Sequence, residues 1–199
     1  AGDVPSWHRS REVYALWLIE AGTEEVRQRV RAASEHLSDF LIPSYRRQPH
    51  ITVFVCGFLV AARSYDDDYS THEFELHADL LRKAALKPFP LEIGALNSFA
   101  SAPFLTVADP EDGLGRVRDL LMTTGKEIER SDYIPHVTVG LYADAFPSDI
   151  VAKRIASFPQ EPCTLRVDRI AFATYRAEEM YGALTRRYEV PFAKSSPSP

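Results

Sequence analysis

The chain has 199 residues, 45% of them hydrophobic and 26% charged, which suits one sizeable globular domain or two small lobes sharing a core and excludes fibrous and intrinsically disordered classes. No apolar run approaches the roughly 20 residues a membrane-spanning helix needs. With 28 acidic against 23 basic residues the net charge is −5, which argues against binding along duplex DNA but leaves a small anionic substrate open, because a positive pocket can sit on a negative molecule.

The first strand is expected at Val13–Ile19, a compact run of aromatic and branched residues. A helix should follow, capped by Thr23, with Glu24 and Glu25 at its positive end and Val26, Val30, Ala33 and Leu37 at helical spacing. His50 to Phe58 reads as a second strand, and the Asp66-Asp67-Asp68 stretch as a solvated loop. Ser70 and Glu73 fit a capping box opening another helix, which Pro88 and Pro90 close. Strands are expected near Leu91–Phe99 and Phe104–Val107. Then comes a helix with Asp109 as cap, Pro110 in its first turn and Leu114, Val117 and Leu121 on its buried face. A strand over Tyr133–Tyr142, a short helix through Val151, Ile155 and Phe158, and two long strands near Thr164–Tyr175 and Gly182–Val190 complete the order. The Ser/Pro-rich stretch 194–199 is expected to be an unordered tail, leaving 1–193 as a single two-lobed domain.

Within this order a β-α-β-α-β pattern occurs twice, and so does a motif. Pro49-His50-Ile51-Thr52-Val53 is matched by Pro135-His136-Val137-Thr138-Val139, 86 residues later. A second five-residue match of this kind has a chance on the order of one in ten thousand for independent residues, which sets the pair above an isolated short motif. Strand alternation puts His50 and Thr52 on one face and Ile51, Val53 and Val55 on the other; His136 and Thr138 likewise oppose Val137, Val139 and Leu141. Related by a pseudo-twofold axis, the two strands would bring two imidazoles and two hydroxyls to one cleft. Imidazole titrates near neutrality, so one ring can take a proton while the other gives one, and the hydroxyls can hold phosphate oxygens. That constellation suits in-line displacement at a phosphodiester.

The paired His-x-Thr motifs resemble those of the 2H phosphoesterase superfamily, and the likeness extends over most of residues 11–192, including Ile170–Tyr175 and Gly182–Leu184. The resemblance implies an α+β fold, bilobal and duplicated, with antiparallel-rich sheets around a central cleft. It also implies a metal-independent cyclic phosphodiesterase with no cofactor. His50 and His136 become the catalytic acid/base pair, and Thr52 and Thr138 the substrate-binding hydroxyls. The substrate would be a 2′,3′-cyclic phosphate nucleotide, or ADP-ribose 1″,2″-cyclic phosphate, opened to a 2′-phosphate. Alternatives are 2′-5′ RNA ligation or RNA 3′-end processing with the same groups, and, more weakly, a nucleotide- or RNA-binding module without catalysis. Family members with a basic residue shortly after the second motif differ from this chain, where Gly140-Leu141-Tyr142 follows. Tyr142 has the parity of His136 and is a candidate substrate-binding residue.

The remaining features read as structural. Arg46 and Arg47, just upstream of the first motif, could guide an anion inward but are taken as solvated turn residues. His8, His36, His72 and His77 have no ligand spacing, and Asp66–Asp68 lacks the pattern of a calcium loop. Cys56 shares the parity of His50 but reads as a small buried residue, and with Cys163 it leaves one disulfide open. Two scattered cysteines and no basic-then-apolar leader fit a reducing cytoplasm, and a monomer acting on a small nucleotide or RNA end, without duplex DNA or membrane partners, is expected.

Overall fold

A computed structural model describes residues 8–128, 132–179 and 181–193. The segment expected to be an unordered tail, 194–199, lies outside the described residues. Strand β1 (Val13–Glu20) leads into helix α1 (Glu24–His36), whose cap forms as anticipated: the Thr23 hydroxyl accepts from the Val26 amide. Strand β2 (His50–Val60) and the short β3 (Asp68–Ser70) precede helix α2 (Thr71–Lys83), where both halves of the Ser70–Glu73 capping box are present. Strands β4 (Phe89–Ser98) and β5 (Pro103–Ala108) are followed by helix α3 (Gly113–Met122), strand β6 (His136–Thr138) and helix α4 (Ser148–Ala156). Strands β7 (Cys163–Val167), β8 (Arg169–Arg176) and β9 (Thr185–Pro191) end the fold.

This is an α+β fold of two antiparallel-rich sheets. One runs β3-β2-β1-β8-β9, antiparallel except for the β2–β3 pair, and the other runs β6-β5-β4-β7. The first motif strand lies in one sheet and the second motif strand at the edge of the other. Helices cross between halves: α1 packs against β7 of the second sheet, while α3, from the second half, packs against β2 of the first. One continuous apolar cluster results, running from Trp17, Ile51 and Phe54 through Val26 and Leu37 to Leu105, Val117 and Leu165. A smaller cluster of Leu16, Leu18, Ala171 and Ala173, with Tyr175 and Leu184 against it, covers the opposite face of the first sheet. That second cluster is why the middle of β8 is buried throughout, whereas β7 alternates between buried and exposed.

Several sequence expectations change. The single strand expected over 164–175 is two, because the chain leaves one sheet at Val167 and enters the other at Arg169, and the Asp168 carbonyl between them accepts from Phe192. The strand expected over 133–142 shrinks to three residues. Beyond Val139 the chain turns to the first half, where Ile42 bonds the Leu141 carbonyl and Ala143 the Phe40 carbonyl. Gly140 permits this approach, since a Cβ there would come within 2.9 Å of Leu41. Asp109 does cap α3, its carboxylate accepting from Gly113 and Leu114 at 2.8 and 2.7 Å, but the helix starts later than Pro110 because Asp112 adopts a left-handed conformation. The aspartate stretch is not a plain solvated loop: Asp68 is buried in β3, accepts from the Ser64 and Tyr65 amides, and joins Asp67 in binding Arg11. Cys56 and Cys163 are buried free thiols. Among the described residues no helix is long and apolar enough to cross a membrane.

Candidate active site

Both motif histidines open their strands, and both are held the same way. His50 Nδ1 lies 2.8 Å from the Gln48 carbonyl and His136 Nδ1 lies 2.7 Å from the Ile134 carbonyl, two residues upstream in each case. A carbonyl only accepts, so each Nδ1 carries its proton and each Nε2 is left for other chemistry. The intervening Pro49 and Pro135 have fixed φ and no N–H, which suits the tight approach of ring to carbonyl. Gln48 is itself anchored, its side-chain amide exchanging hydrogen bonds with the Leu184 backbone at 3.1 and 2.9 Å.

The motif strands pack against each other across the two sheets, and the charge of His136 is felt at His50. Their surroundings differ. His50 is only 8% exposed, and burial, reinforced by the positive charges of Arg47 and His136, pushes its pKa down to about 4 against the pull of the Gln48 carbonyl. His136 is half-buried, with Phe99 and Phe104 set edge-on to its ring at 5.0 and 5.4 Å. Thr52 and Thr138 are both half-buried. Thr52 pairs with Leu18, a member of the smaller apolar cluster, and Thr138 lies near enough to the Tyr45 phenol to oppose the upward push of burial on its pKa.

Strand alternation holds only for the first half of β2. Trp17 faces Phe54 and Leu18 faces Thr52, which leaves Val53 with no residue opposite and reverses the faces beyond it. Val55 therefore shares the face of Thr52, contrary to expectation, while Cys56 lies in the main core, where burial holds its thiol well above the usual range. The outer edge of β2 is covered from the second half: the Tyr133 hydroxyl donates to the Thr52 carbonyl at 3.0 Å, Arg118 donates to the Val53 carbonyl, and the Val55 amide donates to Glu127 at 2.9 Å. Arg118 and Glu127 form an ion pair of 2.6 Å with side chains 12% and 11% exposed, and the Arg118 guanidinium lies over the Tyr133 ring.

Sequence reasoning missed Tyr45 and this edge cluster, because they meet the motif strands from 65 to 93 residues away in the chain and no local pattern marks them. Arg46 is exposed as expected. Arg47 is not an ordinary solvated turn residue: it is half-buried over the Tyr175 ring at 4.1 Å. Tyr142 lies beyond the short β6, so the alternation that was to place it beside His136 does not reach it. Its hydroxyl is 2.7 Å from Ser98 Oγ, and it lines a separate cavity of about 610 Å³ with Phe99 and Phe146. His77 is structural, buried with Nδ1 2.8 Å from the Tyr69 hydroxyl. Among the described residues no group of three or more His, Cys, Asp and Glu is placed to hold a metal.

Two antiparallel-rich sheets carrying duplicated His-x-Thr strands define the class of the 2H phosphoesterases. The 2′-5′ RNA ligase superfamily model matches residues 20–179, both motifs included, and the chain belongs to that superfamily. Among solved structures it is similar to LigT of E. coli complexed with phosphate (14% identity, TM-score 0.62, covering 93% of this chain and 100% of that one). It is also similar to E. coli LigT complexed with 3′-AMP (14%, 0.61, 92% and 99%) and to TT0787 of Thermus thermophilus (14%, 0.59, 90% and 97%). No curated protein sequence matches the chain.

Proposed function

We propose that the chain is a cyclic phosphodiesterase that opens a 2′,3′-cyclic phosphate to a 2′-phosphate without a metal. The observation that carries this reading is the identical seating of His50 and His136, each with Nδ1–H on the carbonyl two residues upstream and Nε2 left to act. His50, neutral at physiological pH, takes the proton of the attacking water through Nε2 as the new P–O bond forms. His136, as the general acid, gives a proton from Nε2 to the ribose 3′ oxygen as the P–O3′ bond breaks, leaving a 2′-phosphate and a 3′ hydroxyl. Thr52 and Thr138 donate to the non-bridging oxygens, where charge accumulates as phosphorus becomes five-coordinate. We assign no role at phosphorus to Tyr142, whose hydroxyl is bonded to Ser98. Crystals of E. coli LigT with phosphate and with 3′-AMP are in keeping with a phosphate-bearing ligand in this fold. A protein acting as a monomer in the cytoplasm fits the same reading.

The test is turnover of the four 2′,3′-cyclic mononucleotides and ADP-ribose 1″,2″-cyclic phosphate, with and without EDTA. We expect EDTA-insensitive formation of a 2′-phosphate and a loss of about 10²- to 10⁴-fold in kcat for His50→Ala and for His136→Ala, the range for removing a positioned acid or base. Full activity in either variant overturns the assignment of roles, and activity abolished by EDTA overturns metal independence.

A further inference from the structure

The two motif histidines rest on backbone carbonyls in the same way, but the residues that offer those carbonyls are held differently. Ile134, ahead of His136, is 51% exposed, and its side chain has no hydrogen-bonding group. Gln48, ahead of His50, carries an amide that pairs with both backbone groups of Leu184. Its Nε2 donates to the Leu184 carbonyl at 3.1 Å, and its Oε1 accepts from the Leu184 amide at 2.9 Å. One orientation of the amide alone satisfies both, since a carbonyl cannot donate and an N–H cannot accept. Two residues earlier, the Arg46 amide donates to the Tyr181 carbonyl at 3.0 Å. These bonds lace segment 46–48 to segment 181–184, within the connection from β8 to β9.

The lacing is anchored at both ends. Leu184 packs on the smaller apolar cluster, whose Leu18 pairs with Thr52 of the first motif. On the far side of the Gln48 carbonyl, the Pro49 carbonyl accepts from the Ala21 amide, just past β1, at 3.0 Å. The peptide that seats His50 is thus held from two directions, by the Gln48 side chain and by the end of β1.

The difference matters because the two rings have different tasks. An imidazole that gives a proton is an imidazolium with both N–H groups, so no tautomer has to be chosen. An imidazole that takes a proton is neutral, and only the Nδ1–H tautomer leaves a lone pair on Nε2. His50 is only 8% exposed, so an Nδ1–H that loses its carbonyl there is left unpaired, which favours the other tautomer, with the proton on Nε2. That tautomer cannot accept a proton from water at Nε2. We propose that Gln48 is a positioning residue for the base: its amide, paired with Leu184, keeps its own carbonyl on His50 Nδ1–H and so keeps Nε2 open to the attacking water. The inference rests on the proposed role of His50 as the base.

The experiment uses Gln48→Met, which keeps the length of the side chain and removes both hydrogen bonds. Nitrogen-15 NMR of the histidine rings, at neutral pH and without substrate, reads the tautomer directly, the His50 signals being assigned by their loss in His50→Ala. His50 should be the Nδ1–H tautomer in the wild type and a mixture in Gln48→Met, with His136 the same in both. With a 2′,3′-cyclic mononucleotide, kcat should fall about tenfold, less than the roughly hundredfold that 1 Å of misplacement can cost, while KM stays. The two lost bonds are exposed, so the midpoint of urea unfolding should move little, which separates the effect from loss of the fold. Gln48→Ala should give the same pattern. A wild-type His50 protonated on Nε2, or a tautomer unchanged in the variants, overturns the proposal. So does a raised KM with kcat kept, which would make Gln48 a substrate contact. If the wild type turns over no cyclic phosphate, the cyclic-phosphate reading has failed, and the tautomers, which need no substrate, then decide the role of Gln48 by themselves.

Discussion

His50 and His136 sit in identical short motifs, yet burial and the nearby charge of Arg47 depress the pKa of His50 to about 4. The group titrates near 6.5 when unfolded, so between pH 6.5 and 4 the unfolded chain binds a proton that the folded chain refuses. Stability therefore falls as the pH drops through that window, by on the order of 3 kcal/mol for His50, and is unaffected by this group above it. His77, also held neutral by burial, adds with the same sign. Urea unfolding from pH 7.5 to 4.5 should show this loss, and His50→Ala should flatten it. A slope unchanged in the variant would assign the pH dependence to other groups. If His50 is the base, the rising limb of kcat/KM lies near pH 4 rather than near 6.5, since kcat/KM reports the free protein. The identity of the paired residues was legible in the sequence. Their inequality was not, because it comes chiefly from the tertiary burial of His50, with Arg47, held over Tyr175, adding to it.

At the scale of elements, β2 departs from a simple strand and its open edge is held from a distance. Nothing in His50–Val60 announces that Val53 will lack a partner, so the sequence pattern assigns Val55 to the wrong face and gives Cys56 the parity of His50, although Cys56 is the small buried residue expected. The second irregularity of the strand does leave a trace, since Gly57 has φ of +101° and a Cβ there would meet the Asp67 carbonyl at 2.3 Å. The Arg118–Glu127 pair satisfies β2 beside the Thr52 backbone, and removing one partner strands the other charge in a nearly dry site. Arg118→Met should cost about 3 kcal/mol, and Arg118→Met/Glu127→Met should recover part of that, because the lone carboxylate is then gone. Chemical denaturation of the two singles and the double measures the coupling. Singles costing only a few tenths of a kcal/mol would mean the pair is solvated and the edge is held by Tyr133 alone.

At the scale of the molecule, the duplicated order of strands and helices was legible because each element carries its own cap or apolar period. Which sheet each element joins was not, since a helix's apolar stripe does not say which sheet will cover it. Here α1 covers β7 and α3 covers β2, so each half closes the core of the other. Such an exchange makes the two sheets one cooperative unit, for neither can shed its helices without exposing the other's face. Leu105 in β5 is fully buried in the shared cluster, and Leu105→Ala should cost about 2–5 kcal/mol, the range for a cavity left by a truncated core leucine. If the halves unfold together, hydrogen exchange should show the best-protected amides of β1, in the other sheet, losing that same free energy. Loss of protection confined to β4, β5 and β7 would show that the sheets open independently. The cleft between them would then be a contact of two separate bodies rather than a seam fixed by a common core.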